Sequence, residues 1–130
     1  MSDVKNETLL ISAGEEKRIL ADQYAQIISV IEQSMEKNAS GKMLLPQKIS
    51  VIFDEDTQDR INCMPAALLD EKIYGVKWVS VFPGNPSYGL RNVNGTIILS
   101  DTVHGRTISV MDAGYLTDIR TAAVGAVAAK

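Results

Sequence analysis

The 130 residues carry 13 basic and 16 acidic side chains, a net charge of −3 with both signs mixed along the chain, so no basic patch marks a nucleic-acid partner. The longest apolar run, Ala122 to Ala129, is far short of the ~20 residues of a membrane span, and the polar opening Met1 to Thr8 excludes an ordinary secretory signal. A hydrophobic share of 45% over this length suits one domain with a single core, soluble and cytoplasmic.

Leu9-Leu10-Ile11 reads as a short strand, and Ser12-Ala13-Gly14-Glu15 has the spacing of a capping box that opens a helix. A second helix from about Asp22 to Lys37 puts Tyr24, Ile27, Ile28, Ile31 and Met35 on one stripe, expected as core, and Asn38 to Gly41 is the turn that ends it. The period then changes. Gln47 to Phe53 alternates, with Ile49, Val51 and Phe53 on one face and Lys48, Ser50 and Ile52 on the other. The acidic stretch Asp54 to Asp59 lacks the sixth-position glycine and closing glutamate of a calcium loop, so it reads as a solvated hairpin tip. Ile61 to Leu69 is a strand whose Met64-Pro65 argues for an edge or a bulge.

Lys72 to Phe82 is β-branched, aromatic or apolar apart from Gly75, two lysines and Ser80, and a Pro-Gly-Asn turn closes it. It is read as the central strand. Alternation puts Ile73, Gly75, Lys77, Val79 and Val81 on one face, and Tyr74, Val76, Trp78, Ser80 and Phe82 on the other. An ammonium buried there without a partner costs roughly several kcal/mol, so either Lys77 sits on a wet edge strand, where it blocks sheet-to-sheet pairing, or an anion meets it. The strand by itself leaves both readings open.

Pro83 to Asn92 is too rich in turn residues for a regular element and has the size of a functional loop. Gly95 to Leu99 and Thr107 to Met111 form a hairpin around the turn Asp101 to Arg106, which holds His104. From about Asp112 the pattern is helical, with Leu116, Ile119, Ala123 and Val127 on one stripe and Arg120 on the same face. A guanidinium there takes a carboxylate or a phosphate, or else snorkels to water. The small residues Ala122 to Ala129 suit close helix packing, and the lack of a stop signal before Lys130 reads as a cut at a domain boundary. Cys63 and His104, single examples of their kinds, make no metal set without carboxylates from elsewhere, and nothing in the sequence activates Cys63 as a nucleophile.

These residues resemble the ornithine cyclodeaminase/mu-crystallin family. The matching text is Met64-Pro65-Ala66, Gly75-Val76-Lys77, Phe82-Pro83-Gly84-Asn85, Gly89-Leu90, Ile98-Leu99-x-Asp101 with Gly105, Met111-Asp112, and Leu116-Thr117-x-x-Arg120-Thr121-Ala122-Ala123. The resemblance runs from about Pro46 onward, after a compatible strand-helix-helix opening. It implies an α+β fold: N-terminal helices on a mixed, mainly antiparallel sheet that pairs with a second copy into a barrel-like dimer, ending in the Ala-rich helix. Residues 1–130 would be the substrate-binding and dimerisation domain that precedes an NAD(P)-binding Rossmann domain.

By the same resemblance, Lys48 and Lys77 stand where the family binds the substrate carboxylate, with Met64 in the same substrate site. Arg120, helped by Thr121, stands where it holds the cofactor phosphates. The family usually has arginine in place of Lys48, a change that keeps the charge and loses the bidentate fork. It usually has threonine in place of Asn92, a departure that bears on any cofactor contact assigned to Asn92. No Gly-x-Gly-x-x-Gly is present, and the family's catalytic aspartate belongs to the Rossmann part, so this chain by itself is expected to be inactive and to bind NAD(P) weakly. The implied reaction is hydride abstraction from the α-carbon of an amino acid to NAD⁺, giving an imine; in the cyclodeaminase the side-chain amine then attacks, ammonia leaves and hydride returns. Ornithine is the family default, with amino-acid dehydrogenase or ketimine reductase as alternatives. The reading from a different class is a stand-alone, non-catalytic dimeric ligand-binding module.

Overall fold

The computed structural model describes residues 6–130, so the first five residues of the polar opening lie outside it. The element order is β1 (Leu9–Ile11), α1 (Ala13–Leu20), α2 (Tyr24–Ala39), β2 (Met43–Leu44), β3 (Ile49–Asp54), β4 (Asp59–Leu68), β5 (Ile73–Val81), β6 (Val93–Asp101), β7 (Thr107–Asp112) and α3 (Gly114–Ala128). The strands form one mixed sheet in the order β1-β7-β6-β5-β4-β2, with β3 also on β4. Only β1 against β7 is parallel; every other pairing is antiparallel. This is the expected α+β arrangement, and the sheet does not close into a barrel within the chain.

Local chemistry explains the boundaries. Ser12 and Glu15 form the reciprocal capping box at the start of α1, the Ser12 backbone N–H reaching Glu15 Oε2 at 2.8 Å. Asp22 adopts a left-handed φ of 60°, which breaks the chain between the two helices, so α2 begins at Tyr24 rather than near Asp22. At the acidic tip, Asp54 Oδ1 accepts from the N–H groups of Asp56 and Thr57 at 2.8 and 3.0 Å, and these bonds hold its carboxyl below the usual range. The carboxylate is turned inward to the backbone. The loop Pro83 to Asn92 contains one 3-10 turn, Asn85–Tyr88, ended by Gly89 at φ 72°.

Pro65 is accommodated by a gap. The outer side of β4 is paired by β3 as far as Cys63 and by β2 at Ala67 and Leu68, leaving Met64 to Ala66 with no ladder partner there. A residue without an N–H loses nothing at such a position. The α2 stripe is core only in its middle: Ile27, Ile28 and Ile31 are half-buried, whereas Tyr24 and Met35 are exposed. The short alanines of α3 leave a cavity of about 190 Å³ against the middle of the stripe, lined by Ile27, Ile28, Ile119 and Ala123 among others. Val79, Ala113, Ile119 and Ala123 are the buried apolar residues where α3 meets the sheet and α2. No helix of the described residues is long and apolar enough to cross a membrane.

Candidate functional site

β5 is paired along its length by β4 on one side and β6 on the other, which rules out the edge-strand account of Lys77. In register, Lys77 lies between Met64 of β4 and Ile97 of β6. Ile49, where β3 begins, pairs with Cys63, the neighbour of Met64, and Lys48 stands one residue before that ladder. Two predicted substrate residues, Met64 and Lys77, therefore share one face of the sheet on adjacent strands, with Lys48 just ahead of β3. Next to Lys77 on that face is an apolar concavity of about 210 Å³, lined by Met64, Ala66, Gly75, Ile97 and Leu99 among others.

α3 packs over the same face. The position a Gly95 Cβ would take lies 3.6 Å from both Ala113 Cβ and Thr117 Oγ1, and Gly95 pairs with Val79, two residues from Lys77. Ile119 and Ala123 point into the helix interface, while Arg120, one position round the helix from Ile119, is exposed at its rim. Its guanidinium is nonetheless within electrostatic reach of Lys77. Burial first, and the Arg120 charge second, hold the Lys77 ammonium below the ordinary lysine range. Among the described residues, neither cation makes an ion pair. An anion placed near both cations would offset their charges.

The other cofactor-side residues are less free. The Thr121 hydroxyl donates to the Thr117 carbonyl at 2.8 Å, so its proton is engaged with its own helix. Asn92 is exposed, its carbonyl accepting from the Phe82 N–H at 2.8 Å where the loop rejoins the sheet. That loop is tied down by Arg91, which donates to Asp118 Oδ2 at 2.7 Å and to the Gly114 carbonyl at 3.4 Å. Cys63 lies mid-strand on β4 and His104 in the β6–β7 turn, two strands away, where its backbone N–H bonds Asp101; the two form no dyad. Among the described residues no cluster of three or more metal-ligating side chains occurs.

Two groups escaped the sequence reading. Asn62 is 7% exposed, alternates with Met64 onto the Lys77 face, and accepts from Ser50 Oγ at 2.7 Å. An asparagine inside an otherwise apolar strand is a poor strand former, and that was the available signal. Glu16 is 4% exposed, and its Oε1 accepts from the Leu116 N–H of α3 at 2.7 Å. In sequence it is one more acid in the first turn of a helix, with nothing to separate it from a solvated one.

A family model described as ornithine cyclodeaminase/mu-crystallin matches residues 8–130. The alanine dehydrogenase of Archaeoglobus fulgidus is 35% identical over 124 residues, 95% of this chain and 36% of that protein. Among solved structures, an archaeal alanine dehydrogenase dimer with bound NAD superposes with a TM-score of 0.80 at 34% identity, over 91% of this chain and 35% of that one. The Thermococcus litoralis Delta(1)-pyrroline-2-carboxylate reductase, in complex with NADH and L-proline, gives a TM-score of 0.80 at 28% identity, over 91% and 36%. The chain thus spans about a third of the length of the relatives it matches.

Proposed function

The chain belongs to the ornithine cyclodeaminase/mu-crystallin family, and from that premise we propose that it is the substrate-binding and dimerisation part of an NAD(P)-dependent enzyme acting at the α-carbon of an amino acid. The observation that carries this reading is Lys77, partly buried in a central strand, with no counter-ion among the described residues and a second cation, Arg120, within electrostatic reach. Lys77 and Lys48 hold the substrate carboxylate, Met64 lies beside Lys77, and Asn62 offers a further polar contact on the same face. Their work is positioning: an anchored carboxylate fixes which way the α-hydrogen points.

NAD(P), when bound, supplies the hydride acceptor. The donor set fits its phosphates through Arg120, an exposed guanidinium without a carboxylate partner; Thr121 contributes lone pairs only, unless its hydroxyl leaves the Thr117 carbonyl, and Asn92 lies at the loop end. The exposed sheet face around Trp78 takes a second copy of the chain. Alanine dehydrogenation, imine reduction and cyclodeamination all use such a site, and ornithine-type cyclodeamination is the family default.

The test is amino-acid-dependent reduction of NAD⁺ or NADP⁺ by the protein at the length its source cell makes, followed by the absorbance of the reduced nicotinamide. Turnover that Lys77→Ala abolishes while cofactor affinity is retained supports the assignment. Amino-acid affinity unchanged in Lys77→Ala removes it. Amino-acid binding with no turnover by the complete protein returns the chain to a dimeric ligand-binding module.

A further inference from the structure

Helix α3 carries Arg120, yet its surface gives little to fix its position. From Ala122 to Ala129 it offers only alanines, one glycine and two valines, so it has few side chains long enough to interlock with its neighbours. Directional bonds set its register instead, and they concentrate at its first turn. Asp112 Oδ1 accepts from the Gly114 N–H at 2.9 Å, Arg91 donates to the Gly114 carbonyl at 3.4 Å and to Asp118 at 2.7 Å, and Glu16 Oε1 accepts from the Leu116 N–H at 2.7 Å. Asp112 is the strand end that leads directly into α3. Arg91 reaches it from an exposed loop. Glu16 ties it to α1 from a buried position, 4% exposed, and the Tyr115 hydroxyl meets that of Tyr24 on α2. Leu116 lies four residues before Arg120, about 6 Å along the axis.

We propose that Glu16 is a positioning residue, whose carboxyl fixes the first turn of α3 and thereby sets Arg120 beside Lys77. Its second oxygen, Oε2, is buried with no hydrogen-bond partner among the described residues, and the Asp112 carboxyl lies alongside. The acid therefore spans α1, the end of β7 and α3 at once. Its consequence for ligand affinity rests on the reading of Lys77 and Arg120 as an anion site; its effect on the distance between the two cations does not.

The experiment is a side-chain NMR titration of Lys77 in the ligand-free protein. Burial first and the Arg120 charge second lower the Lys77 titration, so the midpoint reports how α3 and its guanidinium sit over Lys77, with Arg120→Ala measuring the guanidinium's share. Glu16→Ala, under conditions where urea unfolding shows it fully folded, is expected to move the midpoint up toward ordinary lysine, in the same direction as Arg120→Ala. Glu16→Gln keeps an acceptor for the Leu116 N–H and should leave it near wild type. If Glu16→Ala does not fold, Glu16→Asp makes the same test, because it keeps the charge and loses the reach. An unmoved midpoint in the folded variant, with Arg120→Ala shifted, overturns the role of Glu16 and leaves the anion site standing. An unmoved midpoint in Arg120→Ala overturns both.

Discussion

Lys77 and Arg120 lie within electrostatic reach of each other, cation beside cation, and among the described residues no carboxylate pairs with either. One comes from the middle of the sheet and the other from the rim of α3, so the fold itself brings like charges together. A carboxylate or phosphate placed there offsets both.

Ligand affinity should therefore depend on pH through Lys77. Burial and Arg120 lower its pKa, so the ammonium is lost at lower pH than in an ordinary lysine. Carboxylate affinity is expected to be full near neutrality and to fall as pH rises through that lowered value, earlier than a solvated lysine predicts. Stability runs the other way. A lysine whose folded pKa is depressed costs stability while charged, and the cost is relieved as pH rises through the folded value. Lys77→Met should thus stabilise the protein at neutral pH, by an amount that shrinks on the alkaline side in urea titrations.

Arg120→Ala tests the cofactor role proposed for Arg120 against the carboxylate role proposed for Lys77. The expected result is a weakened affinity for NAD(P) in the complete protein, with the amino-acid affinity less affected. Isothermal titration with each ligand checks this. A loss confined to the amino acid would move Arg120 to the carboxylate side, as a third cation with Lys48 and Lys77.

Glu16→Gln tests the buried acid by its pH dependence. Burial, followed by the neighbouring Asp112, raises the Glu16 pKa, against the partial relief of the Leu116 N–H. A carboxyl with a raised folded pKa favours the fold while protonated and costs stability as pH rises from its ordinary value through the raised one. The glutamine variant escapes that cost. Its stability relative to wild type should increase across that window and then level off, as measured by urea unfolding at a series of pH values.

The strand pattern around Lys77 was legible because alternation, β-branched composition and the Pro-Gly-Asn turn all agree, and the capping box at Ser12 and Glu15 was legible for the same reason. What the strand could not tell was whether Lys77 was at an edge, since pairing partners 13 to 20 residues away decide it. The α2 stripe misled because periodicity shows which residues share a face, not what covers them: Tyr24 and Met35 have the right spacing and stay exposed. Glu16 was illegible because its partner is 100 residues away.

Gly75 is held small by its neighbours. An added Cβ would come 2.7 Å from Leu99 Cδ2 and 3.1 Å from the Ile98 carbonyl, and only the leucine end can move. Gly75→Val should destabilise the fold by about 1–3 kcal/mol, the range for overpacking. A shift of the urea midpoint without a change of slope is the expected signature. An unchanged midpoint would show that the sheet yields at this position.

The face opposite Lys77 is apolar and open: Trp78 is 51% exposed, Ile49 66%, and Val51, Tyr74 and Ile98 are exposed beside them. Register places Trp78 in the centre, next to Cys63 on β4 and Thr96 on β6, with β3 beyond. A patch built from several strands is larger than a lone surface hydrophobe, and Ile49 and Val51 of β3 extend it. With a second copy seated there, Trp78 becomes a central aromatic anchor, so Trp78→Glu should weaken self-association by at least about 30-fold, or about 2 kcal/mol. Lys77 is on the other face, so its titration should stay at the wild-type midpoint as measured on the monomer. Sedimentation equilibrium decides it. A wild-type protein that stays monomeric at high concentration, or a Trp78→Glu variant that dimerises as before, would assign this face to some other part of the complete protein.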